Sequence, residues 1–110
     1  MRKDSINSDH VGEININYPD HQTYKDAKLN KETFDFRYEK LKQYIPEGSI
    51  CLDIGSHIGN FTLLFAACAG KTGKVLAFEP NPHCYAPLTV TMADNPNLNI
   101  IPINVGCTEE

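Results

Sequence analysis

The stretch Ser49-Ile50-Cys51-Leu52-Asp53-Ile54-Gly55-Ser56-His57-Ile58-Gly59-Asn60 changes character at Gly55. Its first half is a short apolar run with one acid near its end, which reads as a buried strand. Its second half is a loop punctuated by glycine, and the nearly continuous apolar run Ile58–Ala69 that follows ends at Gly70, a suitable residue just past a helix. A strand, a turn and a helix therefore follow one another within about twenty residues. The pattern then repeats. Lys71-Thr72-Gly73-Lys74 is a tight link, and Val75-Leu76-Ala77-Phe78-Glu79 is a second apolar strand with an acid at its carboxyl end. Asn81-Pro82 supplies a cap and a first-turn proline for a second helix running to about Ala93. Asp94-Asn95-Pro96-Asn97 is a turn, and Leu98–Ile103 is a third strand with Pro102 near its end.

Upstream, Phe34, Tyr38, Leu41 and Ile45 recur at spacings of four, three and four, which predicts an amphipathic helix from about Lys28 to Tyr44, stopped by Pro46-Glu47-Gly48. Residues 1–26 are polar and read as an N-terminal arm, with only the alternation Ile14-Asn15-Ile16-Asn17-Tyr18 to suggest one edge strand. The expected domain spans residues 27–110. Its order is a helix followed by β-α-β-α-β, and strands this apolar call for helices on both faces of a parallel sheet joined by right-handed crossovers. The fold class is α/β, with a parallel βαβαβ half of mononucleotide-binding type.

Composition narrows the function. The chain has 110 residues, 41% hydrophobic and 22% charged, which suits one globular domain and excludes low-complexity classes. Residues 1–45 carry eight Lys/Arg and eight Asp/Glu; residues 46–110 carry two Lys and six acids. A nucleic-acid face needs clustered cations, so no nucleic-acid partner is expected. No apolar run is long enough for a membrane span or a signal peptide, so no membrane partner is expected either. Cys51, Cys68, Cys84 and Cys107 form no C-x-x-C pair. They read as reduced thiols of a cytoplasmic protein, and no metal site is expected.

In open α/β sheets ligands sit beyond the carboxyl ends of the strands. Three loops meet there: Asp53–Asn60, Glu79–Pro82 and Asn104–Gly106. Glycine in the first lets the backbone take positive φ and a ligand approach closely, and the amides from Ile58 to Asn60 favour an anionic group. Glu79, twenty-four residues beyond Gly55, is placed to accept both hydroxyls of a ribose. For a lone strand-end acid the competing role is a solvated turn or a helix cap. Two cofactors suit this arrangement. A nicotinamide dinucleotide favours G-x-G-x-x-G, but here those positions hold Gly55, His57 and Asn60. S-adenosylmethionine carries no phosphate and accepts the looser D-x-G-x-x-x-G of Asp53, Gly55 and Gly59.

The runs L-D-I-G-S-H-I-G-N-F-T-L-L-F-A, G-K-V-L-A-F-E-P-N-P and N-I-I-P-I-N-V-G resemble the FkbM family of S-adenosylmethionine-dependent methyltransferases over about residues 45–110. The resemblance implies a Rossmann-like methyltransferase fold and O-methyl transfer to a hydroxyl of a sugar or another natural product. It implies that Asp53, Gly55 and Gly59 hold the methionine part of the cofactor, that Glu79 binds the ribose diol and that Pro80 packs on the adenine, with Asn104 and Val105 bordering it. Ser56, His57 and Asn60 line the same loop; the family's usual asparagine is His57 here, a residue that tolerates left-handed backbone. Ser56 is expected to cap the following helix. Pro87 falls inside the second helix and predicts a kink or a late start.

A sheet of this kind is expected to have about seven strands, with the acceptor held by loops after the fourth and fifth. The expectation is therefore an incomplete sheet that supplies the cofactor half, with no catalytic base assigned. The first strand becomes an edge without Lys, Pro or bulge protection, open to further sequence, to another chain or to self-association. The alternatives are a nicotinamide dinucleotide domain of an oxidoreductase and a non-catalytic fragment that associates through that edge.

Overall fold

The computed structural model describes residues 1–106, so Cys107 lies outside the described residues. The chain begins with a hairpin of strands β1 (Arg2–Ser8) and β2 (Gly12–Tyr18), followed by helices α1 (His21–Ala27) and α2 (Lys31–Leu41). Strand β3 (Ile50–Ile54), helix α3 (Asn60–Ala69), strand β4 (Lys74–Phe78), helix α4 (Pro82–Asp94) and strand β5 (Ile100–Ile103) complete it. The second sheet is parallel with order β3-β4-β5, and its register sets Asp53 beside Ala77 and Phe78 beside Ile103. This is the expected βαβαβ half.

Local chemistry accounts for the boundaries. Asn30 caps α2 by accepting from the Thr33 amide at 3.1 Å, and α2 buries Phe34 while Tyr38 and Leu41 pack at its edge. The amphipathic face is as predicted; the helix is shorter at both ends, because the cap falls at Asn30 and turns replace it after Leu41. Gly70 ends α3 with φ 71. Asn81 caps α4 by accepting from the His83 amide at 3.0 Å, with Pro82 in the first turn. Pro87 is accommodated inside α4, which runs unbroken across it and buries the ring. A buried ring recovers apolar burial that offsets the missing helix bond.

Two expectations are corrected. Residues 1–26 are no solvated arm: Ile14, Ile16 and Tyr18 are buried in the core, the last with its hydroxyl accepting from the Leu29 amide at 2.7 Å. Helix α4 and the Asn95 that follows it hydrogen-bond β2 through side chains. The Asn17 amide donates to Thr91 Oγ1 at 2.9 Å, the Asn15 amide to Asn95 Oδ1 at 2.8 Å, and Asn95 Nδ2 returns a bond to the Asn15 carbonyl at 2.7 Å. Polar residues on the hairpin are thus buried because α4 presents matching groups, which composition does not reveal.

The second correction concerns the parallel sheet. Val75, Ala77 and Ile100 lie buried under α3 and α4, but among the described residues no helix covers the opposite face. There Ile50, Leu52 and Ile54 are 64%, 62% and 57% exposed. The sheet is apolar on both faces, as its sequence requires, and this chain buries one of them. Among the described residues no helix is long and apolar enough to cross a membrane.

Candidate functional site

The three loops beyond the carboxyl ends of β3, β4 and β5 are tied together, and Glu79 is the knot. The Gly55 and Ser56 amides both donate to the Phe78 carbonyl, at 2.9 and 3.0 Å, which folds the first loop over the end of β4. Glu79, only 7% exposed, then accepts from the His57 amide through Oε1 at 2.6 Å and from the Asn81 amide through Oε2 at 2.9 Å. With its carboxamide nitrogen facing β4, Asn104 donates to the Glu79 and Pro80 carbonyls at 2.9 and 3.1 Å. The Glu79 amide itself donates to the Ile103 carbonyl at 3.0 Å. A carboxylate offers about four lone-pair positions, so two remain after the amides are satisfied.

Backbone conformation in the first loop follows the glycines. Gly55 has φ 75 and open space where a Cβ would stand; Gly59 has φ 101, and a Cβ there would lie 2.8 Å from Leu88 Cδ1. His57 at φ 56 is the one non-glycine residue with positive φ among the described residues. Its side chain is exposed, in keeping with the tolerance of histidine for this conformation. Ser56 does not cap the helix. Its hydroxyl donates back to the Asp53 carbonyl at 2.8 Å, and the α3 N-terminus begins from left-handed Gly59 without any side-chain cap. The amides of its first turn are left without a side-chain acceptor.

Asp53 points to the covered face, where Thr62 Oγ1 donates to Oδ2 at 2.5 Å. Thr62 was missed from sequence, although a lone hydroxyl in the apolar run of α3 is the signal for it. Asn60 Nδ2 reaches across to the Ala27 carbonyl at 2.8 Å, coupling the loop to the α1–α2 connection. Asp53, Gly55, Ser56, His57, Asn60 and Phe61 line a cavity of about 230 Å³. Pro80 and Val105 are exposed and are not part of its lining.

His83 and His10 are engaged away from this cavity. His83 Nε2 meets Asp20 Oδ2 at 2.8 Å, and Asp20, which also accepts from the Thr23 amide, is held down at about 2 by that amide and by His83. His10 pairs with Glu39 at 3.0 Å. Burial raises all three described thiols, Cys68 to about 11.

No family model matches the sequence, and no curated protein matches it. Solved structures do match the fold. A SAM-dependent methyltransferase from Aquifex aeolicus is 19% identical with a TM-score of 0.63, over 78% of this chain and 47% of that one. A precorrin-6y C5,15-methyltransferase from Geobacter metallireducens is 16% identical with a TM-score of 0.57, over 72% and 42%. A Plasmodium falciparum structure described as a protein-L-isoaspartate O-methyltransferase, in complex with S-adenosyl-L-homocysteine, is 21% identical with a TM-score of 0.53, over 66% and 38%. The chain spans less than half the length of each of these three. Its fold is the Rossmann-like α/β fold of these methyltransferases, in an incomplete sheet.

Proposed function

We propose that the chain is the methyl-donor half of an S-adenosylmethionine-dependent methyltransferase of the FkbM kind, acting on a hydroxyl of a sugar or another natural product. One observation carries the choice of cofactor. Glu79 keeps free lone pairs at the position of a ribose acid, while side chains stand at His57 and Asn60, where a dinucleotide needs glycine to bring its pyrophosphate onto the backbone. Bound S-adenosylmethionine would supply a methyl group on a sulfonium, which passes to the acceptor oxygen as the hydroxyl proton leaves. The residues of this chain hold and orient: Glu79 takes the ribose hydroxyls, the open backbone at Gly55 admits the methionine part, and Pro80, Asn104 and Val105 border the adenine. Asp53 stiffens the loop from below through Thr62.

Calorimetric titration with S-adenosylhomocysteine tests this. Binding should weaken roughly tenfold or more in Glu79→Gln, since a hydrogen bond to a charged group is worth about 1.5–3 kcal/mol. Equal affinity in the two proteins refutes the site, and binding of NAD in place of S-adenosylhomocysteine establishes the oxidoreductase alternative.

A second reading rests on the exposed Ile50, Leu52 and Ile54. An unprotected edge strand with an apolar face favours association, here with a second copy through β3. Sedimentation should show an oligomer that dissociates in Leu52→Lys; a wild-type monomer over the whole concentration range contradicts it.

A further inference from the structure

Beside the loop cavity lies a second one of about 210 Å³, formed between the α1–α2 connection, α2 and the start of α3. Lys28, Asn30, Thr33, Arg37 and Asn60 supply its polar lining, Phe34 and Leu64 are among its apolar residues, and no acid takes part. Neither cation has a carboxylate within ion-pair distance among the described residues, whereas three other lysines do. Lys31 is neutralised between Asp9 and Asp35 at 2.9 and 3.1 Å, Lys42 by Glu39 at 3.0 Å and Lys3 by Asp94 at 3.4 Å. Lys28 and Arg37 lie over aromatic rings, as Arg2, Lys40 and Lys42 also do, with Lys28 Nζ at 5.5 Å from the Tyr24 centroid and Arg37 Cζ at 4.9 Å from that of Phe61. A ring positions a cation without cancelling its charge. The N-terminus of α2, capped at Asn30, adds its positive end to the same space. Asn60 belongs to both cavities, so this one adjoins the donor loop directly.

We propose that this cavity is an oxyanion subsite that holds a carboxylate or phosphate group of the methyl acceptor, with Lys28 and Arg37 as its ligands. The inference rests on the methyltransferase reading and names its acceptor class: a hydroxylated compound that carries an anionic group. Size supports a group over a whole molecule, because drug-sized ligands occupy pockets of roughly 300–1,000 Å³. Position supports the acceptor, since the two cavities share Asn60 in their lining, so an anion anchored here keeps the rest of its molecule beside the donor loop.

Inorganic phosphate and acetate, titrated separately by NMR with and without S-adenosylhomocysteine, test the proposal and distinguish the two anion types. At least one should bind saturably, bind equally in the presence of S-adenosylhomocysteine, and weaken tenfold or more in Lys28→Gln/Arg37→Gln. Both side chains are exposed, so that variant should melt as the wild type does, and its affinity for S-adenosylhomocysteine should stay within twofold. Failure of both anions to bind overturns the subsite, as does binding that the variant leaves intact. Competition between anion and S-adenosylhomocysteine, with a matching loss of donor affinity in the variant, also overturns it and assigns the cavity to the donor's own carboxylate. If S-adenosylhomocysteine fails to bind the wild type while phosphate binds, the methyltransferase reading falls and the anion site stands.

Discussion

Replacing Gly59 by alanine separates two costs that usually arrive together. At φ 101 and ψ 15 the backbone is in a region that a Cβ disfavours, worth about 1–3 kcal/mol. The added carbon would also stand 2.8 Å from Leu88 Cδ1, and Leu88 is fully buried, so its side chain has no solvent to swing into. Forcing a methyl group into a packed core costs about 1–3 kcal/mol more. Gly55→Ala is the control, because φ is 75 but the space is open, leaving strain alone at about 1–2 kcal/mol. Thermal unfolding followed by circular dichroism reads the difference at about 4–8 °C per kcal/mol for a chain of this size. Gly59→Ala should lower the midpoint clearly more than Gly55→Ala. The double variant Gly59→Ala/Leu88→Ala should lose less than the sum of its parts, since the smaller residue removes the collision. Equal losses at the two glycines, or strict additivity with Leu88→Ala, would refute the steric account.

Three further outcomes follow from the same geometry. Ile16→Ala should destabilise the protein by about 2–5 kcal/mol in urea, against about 0.5 kcal/mol or less for a solvated arm, because the side chain is buried beneath the hairpin. The Asp20 carboxyl is held at about 2, below its ordinary 3.8, by the Thr23 amide and His83. Its contribution is complete above pH 3.8 and is lost as pH falls through about 2; Asp20→Asn should flatten the acid limb of a stability profile over that window. Cys68, raised to about 11 by burial, gives stability that declines as pH rises from 9.0 toward 11, and it should resist alkylation at pH 8 in peptide mapping while the unfolded chain reacts. Rapid native labelling would contradict its burial.

The βαβαβ half was legible because its signals are local and agree with one another. Apolar runs of strand length, Gly70 after a helix and Asn81-Pro82 before one each decide a boundary without help from distant residues. The hairpin was not legible, since β1 is polar and what buries β2 lies about eighty residues away on α4. Asn15, Asn17, Thr91 and Asn95 look like surface residues one at a time and become interior only as a set. The site divides in the same manner. The loop glycines and Glu79 could be placed from spacing, whereas the role of Thr62 under Asp53, the turning of Ser56 away from the helix and the cations at Lys28 and Arg37 depend on tertiary approach.

The arrangement at Glu79 bears on how a ligand would bind. A strand-end acid left in solvent would have to be ordered and stripped of water by its ligand, and both act against affinity. Here each carboxylate oxygen is already fixed by one backbone amide, His57 on one side and Asn81 on the other, and the flanking carbonyls are fixed by Asn104. The amide that meets Oε1 belongs to the residue held at positive φ, so the conformation of this loop and the preorganisation of the acid are coupled. It follows that His57→Gly, which relieves the backbone strain but loosens the loop in the unliganded protein, should weaken S-adenosylhomocysteine binding without lowering the melting temperature by more than the entropy of an added glycine, about 0.5–1 kcal/mol. Unchanged or tighter binding in that variant would show that the loop orders on the ligand instead of ahead of it.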